Sequence, residues 1–231
     1  MMLRVSVFVY FILFSNHVFS KEIPVIVISA GKTPQSYSSV GSQVTIIDSE
    51  TIENSSDAFL TDLLGNEVQG LNIFQNGGVG TNAGIQLRGL PKRYSTVYID
   101  GVKMYDPSTP DNSFYAQGLI KDSIDRIEIL KGSQSSLYGN GAVGGTINIF
   151  TKKGKLGKHQ NATLRTGDNN TQDVFYSIDG ADEKQSYYVG FNYYSTDGIS
   201  AMNHNNEKDP YENNTLTTNY GYKISENNTI E

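Results

Sequence analysis

The sequence predicts an α+β domain followed by the opening strands of an antiparallel transmembrane β-barrel, cut short before it closes. Three observations predict this. Residues 40–153 mix one amphipathic helical stretch with short alternating segments and glycine-rich loops. From Asn161 onward the texture changes to hairpins of about ten residues per arm, each with an apolar and a polar face, as in tilted strands that cross an outer membrane. Beyond the first twenty residues no run is apolar for long enough to span a bilayer as a helix, so any later membrane contact must be made by β-structure.

The chain opens on an export signal, residues 1–20. Arg4 supplies the positive start, Val5 to Phe14 is apolar apart from Ser6, and Val18-Phe19-Ser20 precedes a cut ahead of Lys21. The mature chain therefore lies outside the cytoplasm. It has no cysteine, which excludes disulfides and thiolate metal sites. A net charge of -6 and the lack of a basic run argue against a nucleic-acid partner. Residues 21–39 run on from Lys21-Glu22 into Ile23-Pro24-Val25-Ile26-Val27-Ile28-Ser29-Ala30-Gly31. A β-branched run behind proline favours extended backbone. It is either the first strand of a sheet or an exposed segment that adds as a strand to a partner.

Within 40–153, Val44 to Ile47 is a predicted strand. Ser56 is the expected cap of a short helix, Asp57 to Leu64, whose Phe59, Leu60, Leu63 and Leu64 share one face. Strands follow at Leu71 to Gln75, Ile85 to Arg88, Thr96 to Asp100 and Arg126 to Lys131, and Thr146 to Thr151 closes the domain. The boundary is set near Gly154, after which tyrosines crowd the chain. In residues 154–231, Val174, Tyr176 and Ile178 alternate with Phe175, Ser177 and Asp179, and the pattern repeats over 187–194 and 216–223. Polar turns at 167–170, 181–184 and 225–228 are short, whereas the link from Thr196 to Thr215 is long, the asymmetry of a transmembrane barrel. Alternation alone also admits a soluble sandwich.

Gly139-x-Gly141-x-x-Gly144 has the spelling of a dinucleotide loop. That loop works only between a strand and a helix, whose N-terminus holds the pyrophosphate; here a strand follows. Of three histidines, His17 falls in the signal, and His159 and His204 lie far apart without a zinc-protease spacing. No Gly-x-Ser-x-Gly or phosphate-binding lysine motif is present. Nothing in the sequence points to an enzyme. Asn161, Asn169, Asn213 and Asn227 head Asn-x-Ser/Thr triplets, expected by chance in an asparagine-rich chain.

Four segments, in order, resemble the plug domain of TonB-dependent outer-membrane receptors: Ile85-Gln86-Leu87-Arg88-Gly89, Val97-Tyr98-Ile99-Asp100-Gly101-Val102, Ile124 to Gly132, and Ser136 to Ile149. Gln69-Gly70, Lys131 and Ser133 depart from the family's usual spelling. The resemblance implies a plug over 40–153, the first barrel strands over 154–231, and a Gram-negative outer-membrane location with the plug reaching the periplasm. It implies a TonB box at Pro24, Val25, Ile26, Val27, Ile28, Ser29, Ala30 and Gly31 that pairs with TonB as a strand. Arg88, Asp100, Arg126, Glu128 and Lys131 are expected in plug–barrel ion pairs. Within the family, the 75–80 loop and its distance to 85–89 look most like cobalamin transporters, which implies a corrinoid ligand; siderophore, haem or another metal chelate is the alternative. Asn82, Gly84, Pro91, Thr109 and Pro110 fall at comparable ligand-contact positions. No covalently bound cofactor is implied, but calcium is, in the first long loop, at Glu207 and Asp209. Such barrels have about twenty-two strands, so residues 154–231 are expected to be part of a longer wall. The readings from other classes are a secreted β-rich binding protein and a nucleotide-dependent enzyme.

Overall fold

In this computed structural model the described residues are 26–231 apart from 201, 203, 205, 206, 226, 227 and 231, so the export signal and Pro24 and Val25 lie outside them. The chain begins with a two-stranded hairpin, β1 (Ile26–Val27) and β2 (Gln35–Ser36). A five-stranded sheet follows, built from β3 (Gln43–Ile47), β6 (Ser95–Ile99), β7 (Val102–Met104), β8 (Ile124–Lys131) and β9 (Gly145–Thr151). Its order is β3-β8-β9-β6-β7, with only β6 and β9 parallel. A second hairpin, β4 (Leu71–Gln75) with β5 (Ala83–Leu87), packs beside it.

Two helices cover one face of this sheet. Helix α1 (Ser49–Asn54) starts because the Asp48 carboxylate accepts the Thr51 N–H at 2.9 Å, a side-chain cap. Helix α2 (Leu60–Glu67) corrects the expected helix: it begins four residues after Ser56, which does not cap it. The Leu60 N–H instead donates to the Leu119 carbonyl at 2.8 Å, so a distant backbone group satisfies the helix start. Leu60, Leu63 and Leu64 still face inward as expected, joining Ile52, Ile85, Leu87, Val97, Ile127, Ile129 and Ile147 in the core.

The glycine-rich stretch sits between α3 (Ser135–Tyr138) and β9. The helix precedes the glycines and a strand follows them, the reverse of the dinucleotide arrangement. Gly145 shows what the glycines do. Its φ is +149°, and a Cβ there would lie 2.2 Å from the Leu130 carbonyl oxygen of β8. A bare backbone lets β8 and β9 close on each other.

The last five strands form an antiparallel meander: β10 (Gly157–Gly167), β11 (Thr171–Ala181), β12 (Gln185–Thr196), β13 (Tyr211–Ser225) and β14 (Asn228–Ile230). Their register lines up Leu164–Val174–Tyr193 and Tyr176–Phe191–Leu216 across neighbours. Val174, Tyr176, Phe191, Leu216 and Tyr220 point away from the first domain and are exposed, whereas Asp173, Phe175, Ser177, Tyr188 and Asn192 point toward it and are buried. The apolar face is outside and the polar face inside, as in a membrane barrel wall. No helix among the described residues is long and apolar enough to cross a membrane.

Candidate functional site

Two places bring together residues singled out above. The first is the docked N-terminal segment. Ile26 and Val27 pair with Ser36 and Gln35, and Val27, fully buried, packs on Val44 and Leu130. The chain then meets Glu128, which β8 carries at 0% exposure. Its carboxylate accepts the Ile28 N–H at 3.0 Å, the Ser29 N–H at 2.8 Å and the Ser29 hydroxyl, and Arg126 Nη2 lies 3.0 Å from its other oxygen. The Tyr138 hydroxyl donates to the Ser29 carbonyl. Burial, with smaller contributions from Tyr98 and Glu128, pushes the Tyr138 pKa up to about 12, so it remains a donor at any physiological pH. Backbone groups that a partner strand would use are thus already satisfied within the domain. Ala30 and Gly31 lead into the turn toward β2.

The second place is the seam between the first domain and the meander. Arg165 on β10 reaches Asp122 with two bonds, Nη1 at 2.9 Å and Nη2 at 2.6 Å, and Asp173 on β11 with a third at 2.6 Å. Asn192 donates to Asp173 at 2.8 Å. Beside them Lys121, fully buried, donates to the Ile52 carbonyl at 2.6 Å. Tyr188 meets Ser123 at 3.2 Å, and Phe59 stacks edge-on against Tyr194 with ring centres 4.7 Å apart. Sequence reasoning missed Asp122, Arg165 and Asp173. The signal was there in part: alternation puts Asp173 on the face of Phe175 and Ser177, but a carboxylate on an inward face does not name its partner.

The five charged residues expected in plug–barrel pairs make their described contacts within the first domain. Arg126 and Glu128 pair with each other. Asp100 accepts the Thr151 N–H at 2.9 Å, and Lys131 donates to the Gln69 carbonyl at 2.7 Å. Arg88, at φ +57°, occupies the turn after β5 and has no ion pair among the described residues. All five lie in the first domain, and the short strands there place their side chains on its own loops and sheet. The expected ligand-contact residues fall around one loop. Gly84 bridges to Tyr115, Thr109 bonds Asp106, and Lys92, next to Pro91, pairs with Asp111 at 3.1 Å. Gly84 is buried in β5, while Asn82, Pro91 and Pro110 are exposed. Glu207 and Asp209 are exposed in the loop between β12 and β13. Among the described residues no three His, Asp or Glu side chains gather as a metal cage.

Residues 36–146 match the family model described as the TonB-dependent Receptor Plug Domain. The chain carries a TonB-dependent receptor plug. Over 142 residues, 62% of this chain, it is 34% identical to the vitamin B12 transporter BtuB of Vibrio cholerae, and it spans 22% of that transporter's length. Among solved structures it is similar to the siderophore receptor PirA of Acinetobacter baumannii, with a TM-score of 0.64 and 21% identity over 80% of this chain and 30% of that one. It is similar also to the ferric yersiniabactin uptake receptor FyuA of Yersinia pestis, with a TM-score of 0.63 and 19% identity over 78% and 29%. These likenesses carry the fold: a plug followed by the first antiparallel strands of a barrel, in a family of the Gram-negative outer membrane.

Proposed function

We propose that this chain serves energised import through an outer membrane: the plug and adjoining wall of a receptor that takes up a scarce ligand too large for passive pores, without catalysing a reaction. The observation that carries it is the N-terminal segment, extended at Ile26–Val27 and tethered by side-chain and backbone bonds to the plug. Such a segment is available for strand addition once released, and main-chain pairing gives affinity to almost any extended sequence. The ligand we favour is a corrinoid, since the similarity to a vitamin B12 transporter is one of sequence, at 34% identity. A ferric siderophore is the second reading, favoured by structural neighbours near 20% identity, which speak for fold alone.

The chain has no cysteine, so a single introduced thiol is unique. Ile26→Cys, half exposed on β1, should form a disulfide with a cysteine-bearing TonB periplasmic domain, and Lys158→Cys on the wall should not. Adding Val27→Pro removes an amide donor from the pairing edge and should abolish the cross-link. Equal yields from Ile26→Cys and Lys158→Cys would remove the TonB assignment. Equilibrium binding of cyanocobalamin against a ferric siderophore separates the two ligands.

A further inference from the structure

Import does not explain how charge is distributed on the wall. The start of β10, the short turn between β11 and β12 and the end of β13 meet at one rim of the meander, opposite the long loop after β12. Outer-membrane barrels keep their short turns on the periplasmic side. Lys155, Lys158, Lys184 and Lys223 are exposed at this rim. At the other rim stand Asp168, Asp197, Glu207, Asp209 and Glu212, with Lys208 bound to Asp197 at 2.9 Å. In a chain with a net charge of -6, the wall thus sorts its lysines to one rim and most of its acids to the other.

The rim's own acids do not absorb these cations. Of the two acids in the turn, Asp182 accepts the Lys184 and Gln185 N–H groups at 2.8 and 2.9 Å, which leaves Glu183. Lys158 and Lys223 have no carboxylate partner among the described residues, and the Lys223 N–H donates to the Lys184 carbonyl at 2.7 Å, which holds those two residues side by side. The row next to them is aromatic. Lys158, Gly180, Tyr187 and Tyr220 are register partners on the outward face of β10 to β13. A Cβ on Gly180 would lie 2.7 Å from the Tyr187 hydroxyl oxygen, so the bare glycine lets that ring lean across β11 toward β10. Tyr220 is 57% exposed. Leu156, which bridges to Ala181, and Ile230, which pairs with Tyr222, are exposed as well. Open rings and apolar side chains beside lysines are the make-up of a membrane–water interface. Rings sit there at headgroup depth, and long cationic side chains reach out from the apolar layer.

We propose that this rim is a docking surface for anionic phospholipid, whose phosphodiester headgroups lie against Lys158, Lys184 and Lys223 while the acyl chains run along Tyr187 and Tyr220. The lysines select an anionic over a zwitterionic headgroup by charge, because each cation near an anionic lipid surface adds attraction that a zwitterionic one lacks. Binding here requires the wall to meet lipid, but neither TonB nor an imported ligand.

The chain has no tryptophan, so Tyr220→Trp supplies a unique fluorescent probe at the rim. The full chain carrying it is reconstituted into vesicles of phosphatidylcholine and phosphatidylglycerol in equal parts, with brominated acyl chains on one lipid at a time. Brominated phosphatidylglycerol should quench the probe roughly twofold more than brominated phosphatidylcholine, since one lysine near an anionic surface already gives about a fivefold enrichment. Replacing Lys158, Lys184 and Lys223 together by Gln should bring the two arms level while quenching persists, because the aromatic row still meets acyl chains. Lys208→Gln, on the opposite rim and paired with Asp197, should leave the preference unchanged. All four lysines are exposed, so these variants retain the strands, which circular dichroism checks. Equal quenching by both lipids before any lysine is replaced overturns the proposal. So does the absence of quenching by either, which would put water or protein against the rim, and so does loss of the preference in Lys208→Gln. Because the vesicles hold no TonB, a failed cross-link and a failed quenching experiment are separate results.

Discussion

Glu128 is where one side chain decides the most. It sits on a central strand of the plug sheet, opposite Ile46 on β3 and Asn148 on β9, with no exposure to water. A buried carboxylate is tolerated only when donors surround it. Here four do, three of them from Ile28 and Ser29. The residue thus holds the N-terminal segment against the plug as much as it stabilises the sheet. Glu128→Gln keeps the volume but removes the charge and turns one acceptor into a donor facing two N–H groups. Hydrogen bonds to a charged group contribute about 1.5–3 kcal/mol, so amide exchange at Ile28 and Ser29 should quicken by roughly tenfold or more. Unchanged exchange at those two amides, measured in the intact chain, would show that the carboxylate is not what docks the segment. The sequence marked Glu128 as a charge to be paired, but could not say with what. Its main partners lie about one hundred positions earlier in the chain, and no local pattern encodes that distance.

Elements were more legible where their signal is local. The strands over 71–75, 83–87, 95–99 and 145–151 lie within two residues of their expected positions, because alternation and β-branching act over a few residues. The short polar turn at 168–170 and the long loop after β12 are likewise as expected. Helix α2 starts late because its first amide is satisfied by Leu119, a contact that only the folded chain makes. Helix α1 was not expected at all: only Ile52 in it is buried, too little to show a periodic face. Between elements, the seam depends on Arg165, which joins the plug to β10 and β11 through Asp122 and Asp173, side chains only 8% and 3% exposed. Arg165→Gln would take the guanidinium from both carboxylates, leaving Lys121 3.8 Å from Asp122 and the Asn192 amide on Asp173; breaking a buried pair costs about 3–5 kcal/mol, which these remaining partners reduce. Limited proteolysis should then cut the plug in a chain that resists cutting as wild type. Asp122→Asn and Asp173→Asn added to that variant should restore part of the resistance, because the cost comes from uncompensated charge. No restoration would mean that packing by Tyr188 and Phe59 holds the seam instead.

At the scale of the molecule, the two faces of the meander decide where it can live. Leu164, Val174, Tyr176, Phe191, Leu216 and Tyr220 form an outward apolar face that stays exposed among the described residues, while the inward positions of β11 and β12 are buried against the plug. Strands β10, β11 and β12 run 11, 11 and 12 residues, enough to cross a hydrocarbon layer at a tilt. A charge on the outward face is then costly in lipid, about 2–4 kcal/mol near mid-membrane. Phe191→Arg should therefore reduce insertion into lipid vesicles, whereas Thr217→Arg, on the neighbouring inward row of β13, should reduce it far less. Equal insertion by both would mean that the apolar face does not meet lipid.

By itself the sequence determined what depends on short-range order: a chain without thiols, a glycine-rich mixed domain, and strands whose alternation sorts apolar from polar faces. Periodicity, turn chemistry and a family's spelling all act over a few tens of residues at most, and they survive being read in a line. Only the tertiary structure decided which charges meet. It turned Glu128 to the N-terminal segment, gave the seam to Arg165, and gathered Lys158, Lys184 and Lys223 at one rim, because partners in space are set by how β8, β10 and the loops pack and not by their order along the chain.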